Sequence, residues 1–416
     1  MIGKLTFNVL ISVLIAGLIL TCKAPMEPVK PDALLPAFHK ALEENYYFYP
    51  DADFQYSLNE VYAESLKNIT GYNKSTADLD TVVKQLQASG GDPETISANT
   101  LGFLDGVLLR LPDQSSYYID QESLGLLEDS SRKAGTGIVI RRDADGKFRI
   151  VDILDGSPAQ RKGLPPGSII ESVDGESVKG LSVEGVAARI RGPVDTEVEL
   201  VLDGKNYTLV RAQFPSPTPM RNTWELEGKK VLIIQLRSAL SGSADDLKTM
   251  LRGSEEQDTL VLDLRKLNFG EFDEVFRMAD LIVSGGILGS IQEKGKDRKT
   301  YQASAETSFN GRVFVLVGNS ASPFSEVLAA SLSGASNVTL IGPRLRGNAF
   351  VADSIQLGEG MLRLTTGVLL GPDDKPLHLT GIAPDVLTAD YLPHSAPMSS
   401  PAFNDPAHQA VAEALK

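Results

Sequence analysis

The stretch Leu316–Ala352 constrains the fold of this chain more than any other. A short apolar segment, Val313–Val317, predicts a strand that runs into a turn of small residues, Gly318–Ser322. A helical pattern follows over Ser325–Leu332, and a second apolar segment, Val338–Gly342, predicts another strand. Many hydrolases use this order of strand, tight turn, helix and strand to expose a nucleophilic serine and direct backbone N–H groups at an oxyanion. We therefore expect a serine-hydrolase active site here.

The alternation of strands and helices continues on either side of this stretch. Strand and helix patterns follow one another over Lys230–Arg237, Asp245–Leu251, Thr259–Leu264 and Phe272–Val283. Strands that alternate with helices form a largely parallel sheet with helices on its faces. We therefore predict an α/β core, followed by a late hairpin and a short last helix over Ile355–Leu357, Met361–Leu364 and Asp405–Leu415.

The composition argues against several classes of ligand. The 416 residues carry a net charge of -14, whereas nucleic-acid binding needs a basic face. The single cysteine, Cys22, has no partner for an intramolecular disulfide, and the four histidines are scattered without metal-ligand spacing. We therefore expect no nucleic acid, no metal and no cofactor. The sequence leaves the oligomeric state open.

The N-terminus predicts export from the cytoplasm. An apolar run, Leu5–Leu20, follows a lysine and is typical of a secretory signal. Its end, Leu18–Cys22, resembles a bacterial lipobox, although Thr21 departs from the usual small residue. We predict a signal over 1–22 with lipidation of Cys22, and the alternative is an uncleaved membrane anchor. Both place the chain in the bacterial cell envelope, attached to a membrane. The proline-rich segment that follows predicts a linker over 23–34.

A compact β-rich unit is predicted over 131–213. Its glycine-rich turns, hairpin signal and amphipathic helix lie at Gly135–Gly137, Gly156–Ala159, Gly163–Gly167, Asp174–Gly175 and Ser182–Ile190. Ser182 is a plausible N-cap for the helix. Together these features resemble a PDZ domain of the bacterial type. The alternative is a purely structural β-domain.

The PDZ resemblance implies a mechanism of peptide binding. Backbone N–H groups of the glycine loop would capture the terminal carboxylate of a polypeptide, which adds as a strand beside the helix. The implied peptide-binding residues come from the loop, the following strand and the helix: Gly135, Thr136, Gly137, Ile138, Val139, Ile140, Val186, Ala187 and Ile190.

The order of motifs along the chain points to a family. A helical region, a Leu-x-Asp-x-Ser-Ser-Tyr motif, the PDZ-like unit, Asp-Leu-Arg, a serine-rich turn and Gly-Ile-x-Pro-Asp follow one another. The motifs outside the PDZ-like unit lie at Leu111–Tyr117, Asp263–Arg265, Asn319–Leu332 and Gly381–Asp385. Over about 35–416 the chain resembles the carboxyl-terminal-processing (tail-specific) serine proteases. The resemblance implies a helical region over 35–130, an α/β protease-like core of ClpP/crotonase type over 214–392, and a tail helix within 393–416.

The resemblance also implies three catalytic positions. Proteases of this family use a serine nucleophile, a lysine base and a glutamine that orients the lysine. Aligned on the pair Ser325-Glu326, these positions hold Pro323, Asn348 and Ala352. Proline has no hydroxyl and the asparagine amide accepts no proton at useful pH. We therefore predict that the catalytic groups are lost.

The oxyanion side differs from the family as well. The family's Asp-Leu-Arg is followed by Asn-Pro-Gly-Gly, whereas Phe269 here replaces one glycine. We expect this bulky residue to crowd the backbone that must approach a reacting carbonyl.

A shifted alignment offers Ser322 as the nucleophile, with Ser320 more distant. A serine needs a base, and no lysine occurs between Lys299 and Lys375. No histidine occurs between His39 and His378, and arginine stays protonated. Nothing in the sequence recommends Glu326 or Asp353 for this role.

Our leading hypothesis is an extracytoplasmic pseudoprotease that binds polypeptide C-termini or unfolded segments as an adaptor, scaffold or regulator. One alternative is an active serine endopeptidase of this family that uses Ser322 and an unidentified base. A second alternative is a structural envelope lipoprotein without a peptide ligand.

Overall fold

The computed structural model describes residues 28–49, 52–113, 115–143, 145–213, 219–253, 258–318, 322–390, 401 and 404–416. The predicted signal and Cys22 therefore lie outside the described residues. Within the described part, no helix has the length and apolarity needed to cross a membrane.

The N-terminal region is mostly helical, as predicted. Its elements are α1 (Pro31–Asn45), α2 (Ala52–Thr70), α3 (Leu79–Gln87), α4 (Pro93–Leu108), β1 (Tyr117–Ile119) and α5 (Gln121–Glu128). Aspartates begin three of these helices: Asp78, Asp92 and Asp120 each accept a backbone N–H three residues further on. These caps satisfy N–H groups that a helix leaves free at its start.

The PDZ-like unit is a small sheet with two helices. Its elements are β2 (Ile138–Arg142), β3 (Phe148–Ile153), α6 (Pro158–Lys162), β4 (Ile169–Val173), β5 (Glu176–Ser177), α7 (Val183–Ile190), β6 (Glu197–Leu202) and β7 (Lys205–Val210). The strand order is β2-β3-β4-β6-β7, so β2 forms an edge. The predicted cap is present, since Ser182 Oγ accepts the N–H of Gly185 at 3.0 Å.

The remaining elements form the core. They are β8 (Met220–Leu226), β9 (Lys229–Gln235), β10 (Ser238–Ala239), α8 (Ser243–Leu251), β11 (Thr259–Asp263), β12 (Phe269–Gly270), α9 (Phe272–Asp280), β13 (Ile287–Glu293), β14 (Lys299–Gln302), β15 (Arg312–Leu316), α10 (Pro323–Ser333), β16 (Val338–Gly342), β17 (Phe350–Leu357), β18 (Gly360–Leu370), α11 (Leu377–Thr380), β19 (Val386–Leu387) and α12 (Pro406–Leu415). The central sheet has the order β19-β16-β15-β11-β9-β8, and only β8 pairs antiparallel. The α/β multidomain prediction is confirmed.

A second sheet joins the N-terminal region to the core. The order β1-β18-β13-β14, with β17 beside β18, pairs a strand from the N-terminal region with a strand from the core. Leu357, Leu362 and Leu364 share one hydrophobic cluster with the N-terminal helices. The predicted ranges 35–130 and 214–392 are therefore packed as one unit.

The Leu-x-Asp motif strengthens this junction. Asp113 is buried and accepts the hydroxyl of Tyr46 at 2.8 Å and that of Thr365 at 2.5 Å. Ser116 donates to Asp113 and accepts the N–H of Thr365 at 3.0 Å. The motif thus connects α1 and β18 through a buried polar network.

Arg265 occupies the centre of a buried ionic network. Its guanidinium donates to Asp263 at 2.9 Å and to Asp405 at 2.7 Å, and all three residues are buried. Burial alone would raise the pKa of Asp263, but the charge and hydrogen bonds of Arg265 outweigh it and lower that pKa to about 2. Asp405 also caps α12, whose apolar residues Val411 and Leu415 pack on the central sheet.

We expect the Arg265→Ala variant to lose about 3–5 kcal/mol of unfolding free energy, because two buried carboxylates lose their counter-charge. Urea denaturation measures this loss. The control is Lys40→Ala, since Lys40 is exposed where it pairs with the exposed Glu44. That variant should lose less than about 1 kcal/mol. Equal losses in the two variants would contradict the role of Arg265.

Candidate functional site

The start of α10 holds the two candidate nucleophile positions. Ser322 caps the helix: its Oγ accepts the N–H of Ser325 at 3.2 Å and donates to the carbonyl of Leu267. Pro323 occupies the first helical position, where its missing N–H and fixed φ are well tolerated. Within the described residues, no lysine or histidine side chain hydrogen-bonds to the Ser322 hydroxyl. The hydroxyl is therefore committed to two structural bonds. Ser320 lies outside the described residues.

The loop that carries Asn348 is held against α10 by Glu326. The buried Glu326 carboxylate accepts the N–H of Asn348 at 2.6 Å and also binds the N–H groups of Arg346 and Gly347. Burial raises the pKa of Glu326 to about 7, and the three N–H groups and the Arg346 charge oppose that rise. Sequence reasoning had weighed Glu326 only as a base, and its role as a loop anchor was missed.

The other two predicted catalytic positions lie near this loop. Gly347 has φ +84°, and a Cβ there would come within 2.2 Å of the Leu377 carbonyl, so the backbone is tightly packed. Asn348, predicted at the position of the family's base, is half-buried and carries an amide that accepts no proton at useful pH. Ala352 lies in β17 next to a register shift between Val351 and Ala352.

His378 packs beside the same loop. His378 lies in the short helix α11. Its ring centroid is 5.3 Å from that of Phe48 and 5.4 Å from that of Phe350. Burial lowers the pKa of His378, and its Nδ1 is buried without a hydrogen-bond partner. The contacts of this imidazole are aromatic, and none of them reaches Ser322.

On the oxyanion side, the expected crowding by Phe269 is wrong. Phe269 is 39% exposed, because the short parallel pair of β10 and β12 leaves its side chain at the surface. The close approach belongs to Gly270, where a Cβ would lie 2.8 Å from Ala239 Cβ and 3.2 Å from Phe324 Cγ. Phe324 contacts Phe272 with ring centroids 5.2 Å apart. The apolar side chains of Phe272 and Phe324 therefore lie together beside the start of α10.

The PDZ-like unit contacts the core near the start of α10. Asp152 lies 3.6 Å from Lys266 Nζ and accepts from Asn268 Nδ2 at 3.0 Å. Asp155 pairs with Arg237. Burial raises the pKa of Asp152, and the charge of Lys266 opposes the rise. Sequence reasoning missed these contacts, because no local pattern marks charges that pair across such distances along the chain.

The glycine loop of the PDZ-like unit has free donors. The carbonyls of Thr136 and Gly137 accept N–H groups from Ala159 at 2.9 Å and Leu154 at 2.8 Å. Among the described residues, the N–H groups of Thr136 and Gly137 themselves have no acceptor. Thr136 Oγ1 is also buried without a partner. Gly135 and Ala212 form two reciprocal backbone hydrogen bonds, since the N–H of each donates to the carbonyl of the other. Three polar groups of this loop are thus unsatisfied.

Only part of the predicted peptide-binding set is accessible. Val186 and Ile190, which were predicted to bind peptide, are buried in the core of the unit. Ala187 on α7 is half-exposed, and so are the three β2 residues Ile138, Val139 and Ile140. Of the predicted residues, these four and Gly135 are half-exposed, whereas Thr136 and Gly137 are buried. The strand β2 is an edge strand, so one side of its backbone is not paired with another strand.

The opposite side of α7 is covered by α5. Arg189 donates to Glu122 at 3.1 Å and to Ser123 Oγ at 2.8 Å, and Tyr117 donates to Glu184. Burial together with Glu184 raises the pKa of Tyr117 well above its ordinary range. These contacts fix α7, and with it one wall of the groove, to the N-terminal region.

Glu326 predicts a pH dependence of stability. Its pKa is 4.5 ordinarily and about 7 in the folded chain, so the folded state holds a proton that the unfolded state loses between these values. Stability from this group is therefore largest below pH 4.5 and is lost as the pH rises through 7. Relative to Glu326→Gln, the wild type should lose about 2 kcal/mol between pH 5 and pH 8.

Urea titrations at the two pH values measure this difference. The comparison with the variant cancels the contributions of other titrating groups. The exposed substitution Glu225→Gln is the control and should leave the wild-type pH dependence unchanged. A Glu326→Gln variant with the same dependence as the wild type would contradict the role of Glu326.

Two family models match the chain. Residues 230–388 match peptidase family S41, and residues 149–203 match the PDZ domain. The carboxy-terminal processing protease CtpA of Bacillus subtilis is 28% identical over 292 residues, which cover 68% of this chain and 63% of that protein. A probable CtpA-like serine protease of Staphylococcus aureus (strain COL) is 26% identical over 333 residues, with coverages of 77% and 67%.

A solved structure shares the fold. The photosystem II D1 C-terminal processing protease aligns with a TM-score of 0.63 and 19% identity, covering 86% of this chain and 97% of that one. The chain spans about 63% of the length of its Bacillus subtilis relative. The match to peptidase family S41 over the core, the PDZ match before it and the CtpA relatives together support a CtpA-like member of this family.

Proposed function

We propose that the chain binds polypeptide C-termini through its PDZ domain outside the cytoplasm, and that its S41 core holds polypeptides without cutting them. The observation that carries the proposal is the pair of unused N–H groups at Thr136 and Gly137 beside the free edge of β2. A carboxylate would accept both N–H groups in charge-assisted hydrogen bonds, while the peptide backbone pairs with β2.

The contacts at the start of α10 support the proposed loss of proteolysis. A serine hydroxyl becomes a useful nucleophile only with a base in hydrogen-bond reach. Ser322 instead donates to the carbonyl of Leu267. The family positions for nucleophile, base and orienting amide hold Pro323, Asn348 and Ala352. The apolar side chains of Phe324 and Phe272, beside the start of α10, suit contact with an apolar side chain of a bound peptide.

Peptide-bond hydrolysis by Ser322 is the second candidate. Family membership favours it, because the Bacillus subtilis relative is named a protease. It would require Ser322 to leave the Leu267 carbonyl and to meet a base in a different arrangement of the cleft.

A binding experiment tests the first proposal. Purified protein from Ala24 onward is titrated against fluorescent peptides with apolar C-termini, prepared as free acids and as amides. The free acids should bind at least about tenfold more tightly, because only they accept two charge-assisted bonds. Ala187→Trp should weaken binding by filling the groove, whereas the control Ala98→Trp, at an exposed position on α4, should not. Equal affinity for acid and amide would count against the proposal.

A cleavage experiment separates the two candidates. Wild type and Ser322→Ala are incubated with an unfolded, C-terminally tagged protein, and fragments are followed by mass spectrometry. We expect no cleavage by either protein. Cleavage by the wild type that disappears in Ser322→Ala would establish the protease and overturn the holding function. Equal cleavage by both would exclude Ser322 as the nucleophile.

The proposed location in the cell envelope is supported by the apolar segment before Cys22. Cell fractionation checks it, and recovery of the chain in the cytoplasmic fraction would refute it.

A further inference from the structure

The backbone of the glycine loop Gly135–Gly137 is held in place by the rest of the PDZ domain. Gly135 exchanges two backbone hydrogen bonds with Ala212, at 3.1 and 3.0 Å. The carbonyls of the next two residues accept backbone N–H groups at 2.9 and 2.8 Å. Three successive residues are therefore fixed by bonds to other parts of the domain. Donors on such a backbone are in position before a ligand arrives, which lowers the cost of binding.

Two N–H groups remain unused on this fixed backbone. In the described part of the chain, the N–H groups of Thr136 and Gly137 have no acceptor. Gly137 has φ +81°, and successive N–H groups in turns of this kind form a concave surface that binds anions. Gly135 and Ile138, on either side of the pair, are half-exposed, so the pair lies just below the surface. The two N–H groups are therefore placed to meet an anion that approaches from outside.

The hydroxyl of Thr136 is a third unused group in the same place. Thr136 is 1% exposed, and its Oγ1 is buried without a hydrogen-bond partner. Three covalent bonds separate Oγ1 from the amide nitrogen of the same residue, so the hydroxyl lies close to one of the free N–H groups. A buried hydroxyl without a partner costs folding free energy, because it was hydrogen-bonded to water in the unfolded chain. A partner brought by a ligand would recover that loss.

A rotation of the Thr136 side chain brings its hydroxyl to a ligand held by the N–H groups. Threonine has staggered positions about χ1, and its hydroxyl proton rotates to suit its partner, so the fixed backbone need not move. A carboxylate suits three donors, because it has two oxygens that only accept, whereas an amide has one oxygen and an NH₂ group that donates. Hydrogen bonds to an ionised acceptor are also about twice as strong as those between neutral groups.

We propose that the Thr136 hydroxyl is a specificity-determining donor, which joins the N–H groups of Thr136 and Gly137 in binding the terminal carboxylate of a polypeptide. The inference rests on the proposed function, because it assumes that a C-terminus reaches this loop. It extends that function from the backbone to a side chain. The same hydroxyl lowers the stability of the unbound chain and raises its affinity for a charged C-terminus, and these opposite effects make the proposal testable.

The test compares the wild type with Thr136→Val, because valine keeps the β-branched shape and lacks the hydroxyl. The full chain is titrated against one fluorescent ten-residue peptide with an apolar tail, prepared as the free acid and as the amide. Fluorescence anisotropy should show that Thr136→Val binds the free acid about tenfold more weakly than the wild type does. The amide should lose less than about threefold, because its bond to the hydroxyl is not charge-assisted. Thr136→Ser keeps a donor and should bind the free acid within about threefold of the wild type.

Thermal unfolding separates recognition from a purely structural role. Without peptide, calorimetry should give Thr136→Val a melting midpoint about 2–4 °C above that of the wild type, because no unpartnered hydroxyl is buried. With saturating free-acid peptide this difference should shrink, because the wild type binds the peptide more tightly. A hydroxyl that only stabilised the domain would instead lower the midpoint when removed. The matched control is Thr208→Val, at an exposed position on β7 on the opposite edge of the sheet, which should leave both peptide affinities unchanged.

The outcomes separate this inference from the function beneath it. If Thr136→Val binds the free acid as tightly as the wild type, or if Thr136→Ser binds it as weakly as Thr136→Val, the inference is overturned and C-terminus binding stays intact. A lower melting midpoint for Thr136→Val without peptide also overturns the inference, since the hydroxyl would then already be satisfied. If the wild type binds neither peptide, or binds acid and amide equally, the proposed function and the inference fail together.

Discussion

The buried guanidinium of Arg265 is the interaction on which the site depends. It holds Asp263, at the end of the central strand β11, and Asp405, at the start of the tail helix. These two ion pairs fix the position of the short segment Leu264–Asn268, which follows β11. The carbonyl of Leu264 then accepts the Ser325 hydroxyl at 3.1 Å, and the carbonyl of Leu267 accepts Ser322. The position of α10 therefore follows from a salt bridge elsewhere in the chain, because a charge without its counter-charge in that interior would be costly.

From this segment the contacts spread to the other parts of the molecule. Lys266 and Asn268 reach Asp152 of the PDZ domain, while Glu326 reaches from α10 to the loop that carries Asn348. The cleft, the PDZ groove and the tail helix are thus connected through a few buried polar side chains. At the start of α10, Pro323 and Ser322 both stabilise the helix. The proposed holding function uses the shape of the cleft and requires no nucleophile.

Periodicity predicted the strands, helices and their order, because hydrophobic spacing reflects which side of an element is buried. The hairpin of β17 and β18 was predicted from its apolar residues but extends further, to Phe350 and Leu370. Sequence did not predict which neighbour covers a given face. Val186 and Ile190 were predicted to bind peptide and lie in the core of the PDZ domain. Phe269 was expected to crowd the backbone of the cleft and is exposed. Each of these outcomes depends on packing against residues distant in the chain.

The sequence by itself determined the α/β class and the resemblance to the family, because these follow from local patterns and motif order. It also determined that Pro323 offers no hydroxyl and Asn348 no base. Only the tertiary structure decided what the neighbouring groups do. Ser322 is bound to a carbonyl, Glu326 anchors a loop, and Asp152 of the PDZ domain lies 3.6 Å from Lys266 of the core. These pairings join residues far apart in sequence, and their energies depend on burial and distance, which no local pattern encodes.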